Sequence, residues 1–529
     1  MAILIETNEY QTPITEELLS QYPEEVVQQF TEIVNIVPFI KNLINPNRPK
    51  IEDLPRDKEG RAIVDITNPP IYKDADYFRQ AALFYLKNDC YTKLRPNSNP
   101  NSEYRKYWRE ELRRCREGLI RQSDGMYVTG FLYWFLNYCP MMVNFYKEGQ
   151  KKAIRKESFG FFFEGIWWRS IYLYNAREQG HHAIELAKRG CAKSYFLATI
   201  MSHNLIVGES EATHKRCITV LTAAQKEYLK DDKDGTLNKF IPELSFVIDN
   251  TPFPNLLLKN SPNEMSWQMG YKKPNGAIGG SMNQVLGVSA KDDSDKLRGK
   301  RGWILYEEMG TFDGLLELYD VTRKSVEDGD YTFACMYLVG TANNKESSFL
   351  SAKKLLYAPN SYNIQSVPNV YDKKGSGKDT FGFFFPAYIN RAGCYNKDGI
   401  SDVIKALLQV LMARYKAKYG ADPTSVLRVI AEDPITPAEA IIKVKDAYFP
   451  VASLQERADT LDKNPSLYDD IYVGELYTTG TGEIEFRPTD DIPIRTYPVD
   501  NDTKGALEIY SMPKKDREGK VFNDRYIIG

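Results

Sequence analysis

Residues 181–206, HHAIELAKRGCAKSYFLATIMSHNLI, contain the pattern that decides the fold. An apolar strand candidate, HHAIELA, runs through the turn KRGCAK into the helix candidate SYFLATIMSHNLI. A loop between a strand and a helix can bind phosphate, because backbone N–H groups and the helix N-terminus attract anions. Lys193 and Ser194 at its end are the residue types that meet the β and γ oxygens of a nucleotide and ligate Mg²⁺. The segment therefore predicts a nucleotide-binding loop.

The loop departs from the usual string GxxxxGK[ST] at both glycine positions. Ala187 and Ala192 stand where that string has glycine, whereas Lys193 and Ser194 are retained. Because Lys-Ser pairs are common, the segment taken alone is also compatible with an ordinary strand-to-helix turn.

Three further segments follow in an order that strengthens this interpretation. The strand candidate WILYEE (303–308) ends in Glu307 and Glu308. One carboxylate can hold the Mg²⁺ shell while the other orients the attacking water. The alternative is a strand running into a helix whose first turn favours acids. The next strand candidate ends in Gly340-Thr341, where a γ-phosphate sensor would lie.

An arginine-containing turn, LRGKRG (297–302), precedes the acidic strand. Arg298 or Arg301 in this turn could reach a nucleotide on a neighbouring subunit and stabilise the transferred charge. The plain alternative for this turn is an ordinary surface loop.

Short apolar strands alternate with helices from about residue 181 onward. This alternation predicts an α/β fold with a mainly parallel sheet and helices on both faces. Residues 1 to about 100 are expected to be largely irregular, with one helical stretch, EELLSQYPEEVVQQFTEIV. A helix is predicted over 103–122, with arginines along one face that are either solvated or contact DNA or a partner.

The composition is that of an ordinary globular chain. Its 529 residues carry a formal net charge of −2 and are 42% hydrophobic, so a DNA contact would require a local basic patch. Seven scattered cysteines predict reduced thiols in a cytoplasm and no zinc site. The apolar segments 127–143 and 159–168 contain polar residues that disfavour a membrane span, so both are expected in the core.

Together these segments resemble the ATPase part of the large terminase subunit, the motor that pumps DNA into the procapsids of tailed bacteriophages. Arg189, Lys193 and Ser194 match that family's phosphate loop, although Ala192 replaces its glycine. The resemblance extends over about residues 120 to 345 and includes four further elements of the family. They are its second strand and helix (206–217), its acidic strand (Tyr306-Glu307-Glu308), its arginine element (Arg298-Gly299) and its coupling motif (Gly340-Thr341-Ala342-Asn343).

The resemblance implies a P-loop NTPase fold of the ASCE type that binds ATP and Mg²⁺. Its implied catalytic residues are Lys193, Arg298 and Glu308, and its implied metal ligands are Ser194 and Glu307. The implied ATP-binding residues are Arg189, Gly190, Cys191, Ala192, Lys193, Ser194 and Tyr195. The implied coupling residues are Gly340, Thr341 and Asn343.

The same resemblance implies a domain order. It comprises an N-terminal accessory region with helical and irregular parts (1–150), an ATPase core (151–345), the rest of the core with a C-terminal lid-like subdomain (346–500), and a linker (501–529). DPITPAEAI (433–441) looks like the element that precedes the family's nuclease domain. The final residues resemble the first strand of that domain, so the nuclease itself is expected to be missing.

The implied partners are double-stranded DNA, the portal protein, the procapsid, the small terminase subunit and copies of the same chain in a ring, in the host cytoplasm and away from membranes. Two alternatives stay open. Another P-loop nucleic-acid ATPase, such as a helicase, would carry additional nucleic-acid motifs. A non-hydrolysing DNA-binding scaffold would be consistent with Ala187 and Ala192, but not with the retention of Lys193, Ser194 and Glu308.

Overall fold

The described part of the chain in the computed structural model comprises residues 6–145, 152–208, 216–231, 235–290, 294–341, 346–372, 379–420, 425–441, 472–482, 484–489 and 506–509. The chain divides into two compact units, Met1–Asp446 and Ala447–Gly529. The finer boundaries at residues 150, 345 and 500 stay predictions.

The α-helices in the described ranges are α1 (Glu16–Ser20), α2 (Glu24–Ile36), α3 (Pro38–Ile44), α4 (Gln80–Asn88), α5 (Glu103–Glu117), α6 (Gly130–Tyr138), α7 (Glu164–Glu178), α8 (Lys193–Ile206), α9 (Lys226–Leu229), α10 (Leu237–Asn250), α11 (Leu315–Val326), α12 (Glu346–Tyr357), α13 (Val403–Lys418), α14 (Ser425–Glu432) and α15 (Pro437–Ala440). Within the same ranges, no helix has the length and apolar composition needed to cross a bilayer.

The strands in those ranges are β1 (Leu119–Ile120), β2 (Tyr127–Val128), β3 (Pro140–Phe145), β4 (Ile154–Phe159), β5 (Ala183–Ala187), β6 (Ile218–Ala223), β7 (Leu257–Ser261), β8 (Ser266–Met269), β9 (Tyr271–Lys272), β10 (Ile278–Gly279), β11 (Gln284–Ser289), β12 (Trp303–Tyr306), β13 (Glu327–Asp328), β14 (Tyr331–Thr332), β15 (Met336–Gly340), β16 (Val367–Pro368), β17 (Thr380–Phe381), β18 (Phe383–Phe385), β19 (Tyr472–Thr478), β20 (Ile484–Pro488) and β21 (Leu507–Ile509). The second unit contains β19, β20 and β21, which form an antiparallel sheet in the order β20-β19-β21.

An eight-stranded sheet in the order β18-β5-β15-β12-β6-β11-β8-β7 forms the centre of the first unit. The strands from β18 to β11 pair in parallel, and β8 and β7 extend the sheet with antiparallel pairs. Every residue of β5 and of β15 is buried. Because neighbouring side chains point to opposite faces, both faces of the sheet are covered there. The mixed α/β architecture with a mainly parallel sheet is thus confirmed, and it is consistent with a P-loop NTPase-like fold.

The strand order places the candidate residues at one edge. Strand β15 lies between β5 and β12, with Tyr306 paired to Leu338 and Gly340 paired to Leu186. The carboxyl ends of parallel strands meet at the same edge of a sheet, where α/β proteins usually bind ligands. The loop after β5, the acids after β12 and the residue after β15 therefore lie side by side.

The expectation for residues 1–100 was wrong in part, because this region contains four α-helices among the described residues. The one predicted stretch is divided into α1 and α2 at Pro23. Helix α3 buries Phe39, Ile40, Leu43 and Ile44. A helix of seven residues that is apolar on several sides has no clear polar face, so its periodicity did not reveal it.

Helix α5 ends five residues before the predicted end because Gly118 adopts a positive φ of 86°. A Cβ at this glycine would lie 2.2 Å from the carbonyl oxygen of Val128, so the chain turns where only glycine fits. On the arginine face, Arg113 pairs with Glu110 and Arg116 donates to the Val207 carbonyl. Whether this face is otherwise solvated or contacts DNA or a partner stays a prediction. The apolar segments that give α6 and α7 are buried, as expected.

Candidate functional site

The loop between β5 and α8 turns tightly through two residues in the left-handed region. Gly190 and Ala192 both have positive φ angles, of 72° and 59°. Ala192 occupies the position where the usual phosphate loop has glycine, and the left-handed region costs a residue with a Cβ roughly 1 kcal/mol or more. Helix α8 begins at Lys193, so its first backbone N–H groups have no partner inside the helix. The loop thus keeps the glycine-type geometry although alanine stands there.

This conformation makes a paired prediction at Ala192. We expect Ala192→Gly to leave the free energy of unfolding within about 1 kcal/mol of wild type, because relief of strain offsets the added freedom of the unfolded chain. Ala192→Val should lower it by about 1–3 kcal/mol, since a β-branched residue fits the left-handed region poorly. Urea denaturation of the three proteins measures this. If valine were tolerated as well as glycine, the loop could not have this turn.

A cavity of about 1110 Å³ opens at this sheet edge. Its lining includes the loop and the first turn of α8, the residues that follow β12 and β15, and a set of polar and aromatic side chains. These lining residues include Lys188, Arg189, Gly190, Cys191, Ala192, Lys193, Ser194, Tyr195, Glu307, Glu308, Thr341, Arg155, Phe163, Lys239, Arg391 and Tyr395. The volume is sufficient for a nucleotide-sized ligand.

Ser194 and Glu307 form the candidate metal site. The hydroxyl of Ser194 donates to Oε1 of Glu307 at 2.7 Å. Glu307 is buried, and its Oε2 has no hydrogen-bond partner among the described residues. Burial and the neighbouring Glu308 raise the pKa of Glu307 to about 7. A buried carboxylate oxygen without a partner is costly, and a bound cation would satisfy it. Hydroxyl and carboxylate oxygens are the ligand types that Mg²⁺ prefers, so the residues present fit this ion.

Glu308 connects the start of α8 to the residue after β15. It follows Glu307 after the end of β12 and has a left-handed φ of 48°. Its Oε2 accepts hydrogen bonds from the Thr341 backbone N–H at 3.2 Å and from Thr341 Oγ1 at 2.9 Å. Its Oε1 lies 3.8 Å from Nζ of Lys193. The structure therefore brings together Lys193, Glu308 and Thr341, three residues that the sequence placed in separate motifs.

The remaining predicted site residues differ in how close they lie to the cavity. Arg189 lines the cavity but is 66% exposed, with its guanidinium 3.5 Å from Glu432. Arg298 is 69% exposed, pairs with Asp295 at 2.9 Å and is not among the residues that line the cavity. Gly340 allows a close approach, since a Cβ there would lie 2.8 Å from the Met309 side chain. Asn343 lies outside the described residues.

The burial of three charged residues beside the loop was not predicted from the sequence. Arg169 on α7 and Glu185 on β5 form an ion pair with side chains 1% and 0% exposed. Lys188 is buried and donates from Nζ to the Ile389 carbonyl at 2.5 Å. A glutamate inside the apolar strand HHAIELA was the one available signal, because buried acids are nearly always paired.

Lys188 gives a pH-dependent prediction. Burial lowers the pKa of Lys188 from 10.5 to about 8. Between these values the unfolded chain holds this proton and the folded chain does not, so stability rises with pH over this interval. From about pH 7 to about pH 9.5, we expect the free energy of unfolding to rise by about 2 kcal/mol more in wild type than in Lys188→Met. Urea denaturation of both proteins at the two pH values measures this difference. Equal pH dependence in the two would show that Lys188 is not held as described.

Comparisons with known proteins give little information, so the geometry of the cavity is the main basis for proposing a function. No protein-family model matches the sequence, and no curated protein matches it. Among solved structures, a mutant large terminase ATPase domain from a Thermus phage is similar, with a TM-score of 0.32 and 10% sequence identity. The similarity covers 50% of this chain and 92% of that domain. A likeness at this level supports no conclusion about activity.

Proposed function

We propose that this chain hydrolyses ATP in the cavity at the sheet edge and uses the energy to move double-stranded DNA into a viral procapsid, as a large terminase motor does. One observation carries the ATPase proposal. Two contacts, Ser194 with Glu307 and Lys193 with Glu308, join the phosphate loop to both acids of the neighbouring motif. Residues more than a hundred positions apart in the sequence thus lie together, and their types are those that phosphoryl transfer uses, which supports the proposal.

The loop and the first turn of α8 would bind the triphosphate. Backbone N–H groups at this helix N-terminus and the ammonium of Lys193 supply positive charge, and Lys193 is only 8% exposed. At a nearly buried position, such a fixed charge stabilises developing phosphate charge more strongly than it could in bulk solvent. Ser194 and Glu307 would hold Mg²⁺, which when bound neutralises phosphate charge.

Glu308 would orient the attacking water. Its carboxylate is partly accessible and is fixed from two sides by Lys193 and Thr341. Thr341 follows the central strand β15, so a shift of Glu308 during hydrolysis would be transmitted to that strand. This contact supports the predicted coupling role of Gly340 and Thr341.

The proposed DNA-packaging role rests on the sequence resemblance rather than on the cavity. It includes a homo-oligomeric ring on the portal protein, in which Arg298 of one subunit reaches the nucleotide of the next. Arg298 is exposed and does not line the cavity of its own subunit, which supports a role at a neighbouring subunit. The small terminase subunit and double-stranded DNA complete the proposed set of partners.

Two measurements test the proposal and separate it from its alternatives. Fluorescent-ATP binding with Mg²⁺ distinguishes an ATPase from a non-hydrolysing scaffold, which would bind no nucleotide. Stimulation of ATP turnover by procapsids bearing portal, compared with strand-separation activity on a forked duplex, distinguishes a packaging motor from a helicase. We expect nucleotide binding, procapsid stimulation and no strand separation. Strand separation without procapsid stimulation would contradict the packaging role and leave the ATPase site intact.

A further inference from the structure

A buried ion pair lies directly beneath the phosphate loop. Arg169 on α7 meets Glu185 on β5 through Nη2 at 2.6 Å and through Nε at 2.8 Å. The guanidinium carbon also lies 5.0 Å from the ring centre of Phe385 and 5.7 Å from that of Phe196. Such a two-point contact between planar groups fixes the orientation of the guanidinium as well as its position.

The same guanidinium reaches up to the loop. Arg169 Nη1 donates to the Cys191 carbonyl oxygen at 2.9 Å, and Nη2 lies 3.2 Å from Cys191 Sγ. Cys191 is the residue immediately before Ala192, whose left-handed conformation shapes the turn. Arg169 therefore joins β5, through Glu185, to the middle of the loop.

The direction of this contact has a consequence for the next peptide group. In a trans peptide the C=O and the following N–H point in opposite directions. Because the Cys191 carbonyl points down to Arg169, the N–H of Ala192 must point away from Arg169. Ala192 lines the cavity above. The fixed carbonyl thus aims a backbone donor toward the side where an anion would bind.

A third partner links this arrangement to β15, the strand that Thr341 follows. The hydroxyl of Tyr337 on β15 donates to Glu185 Oε2 at 2.5 Å. Glu185 therefore has acceptor contacts with both Arg169 and Tyr337, and all three side chains are buried. A buried ion pair contributes little net stability compared with apolar residues of similar volume, so stability alone gives no reason for this network.

We propose that Arg169 is a positioning residue for the phosphate loop, holding the Cys191 carbonyl so that the Ala192 N–H faces bound phosphate. This inference rests on the proposed ATP-binding function of the same cavity. Arg169 acts through the backbone of Cys191 and Ala192 and does not itself contact the nucleotide.

The test separates positioning from stability with a single and a double variant. Arg169→Met removes the donor to Cys191 and leaves Glu185 buried without its cation, so it should lower the unfolding midpoint. Arg169→Met/Glu185→Gln removes both charges and should restore much of that midpoint. We expect fluorescent-ATP affinity to stay weakened by about tenfold or more in the double variant, because the loop carbonyl still lacks its donor.

A third variant covers the case in which the first two fail to fold. Arg169→Lys keeps a cation beside Glu185 but lacks the planar fork that also reaches Cys191. We expect it to fold and to bind ATP about tenfold more weakly than wild type.

The outcomes are distinct. Wild-type ATP affinity in the folded double variant, or in Arg169→Lys, would overturn the positioning role and leave the proposed function standing. A wild-type chain that binds no nucleotide would overturn the proposed function, and the positioning role with it. Weakened affinity with a restored midpoint supports positioning.

Discussion

Lys193→Ala is expected to abolish ATP hydrolysis and to weaken ATP binding. Lys193 is buried at the start of α8, and its Nζ lies 3.8 Å from Oε1 of Glu308. Loss of its ammonium removes a charge-assisted contact worth about 1.5–3 kcal/mol in binding. The loss in the transition state is larger, because charge develops on the phosphate oxygens as the bond breaks. Phosphate release measured with Mg²⁺-ATP checks the result.

A surface lysine provides the matched control. Lys106 also pairs with a glutamate, Glu103 at 2.8 Å, but on the exposed face of α5. Lys106→Ala should leave turnover unchanged, because an exposed pair of this kind contributes little. Unchanged turnover in both variants would mean that hydrolysis does not use this loop.

Glu308→Gln is expected to retain ATP while reducing hydrolysis by about a hundredfold to ten-thousandfold. The amide has almost the same shape and can keep the hydrogen bonds from Thr341 through its oxygen. It cannot accept a proton from water as a carboxylate does, so only the chemical step should suffer. Nucleotide affinity and single-turnover hydrolysis are the two quantities to compare.

Glu307→Gln distinguishes the roles of the two neighbouring acids. Glu307 contacts Ser194 and has a buried oxygen with no described partner, so its loss should weaken the Mg²⁺ dependence of ATP binding. If Glu307→Gln retained nucleotide without hydrolysis and Glu308→Gln lost Mg²⁺-dependent binding, the assignments would have to be exchanged.

Local sequence sufficed for the elements that carry the site. Short apolar runs predicted β5, α8 and β12; Lys193 and Ser194 begin the helix, and Glu307 and Glu308 follow the strand β12. The placement of β15 between β5 and β12 depends on pairing between distant segments, and no local pattern specifies it. That placement brings Thr341 to Glu308, so the contact between them could only be found in the folded chain.

Buried charges were harder to foresee. Lys188 and Arg169 belong to residue types that are usually exposed, and their burial depends on partners from other elements. Lys188 is satisfied by the Ile389 carbonyl, and Arg169 by Glu185 and the Cys191 carbonyl. In the N-terminal region, α3 is too short and too fully buried to show an amphipathic period.

The role predicted for Arg298, at the nucleotide of a neighbouring subunit, does not follow from its position in the single chain. The sequence places it before the acidic strand, and the structure exposes it beside Asp295, outside the cavity lining. A role across a subunit interface stays a prediction, as does the coupling role of Asn343.

The most direct test of the account is a structure of the chain with Mg²⁺ and a non-hydrolysable ATP analogue. We predict that the terminal phosphates contact the backbone of residues 190–194 and the ammonium of Lys193. The ion should contact Ser194 and Glu307, and the carboxylate of Glu308 should face the γ-phosphate. An analogue bound at a different surface, or one in this cavity that contacts neither Lys193 nor Ser194, would contradict the proposed ATP site.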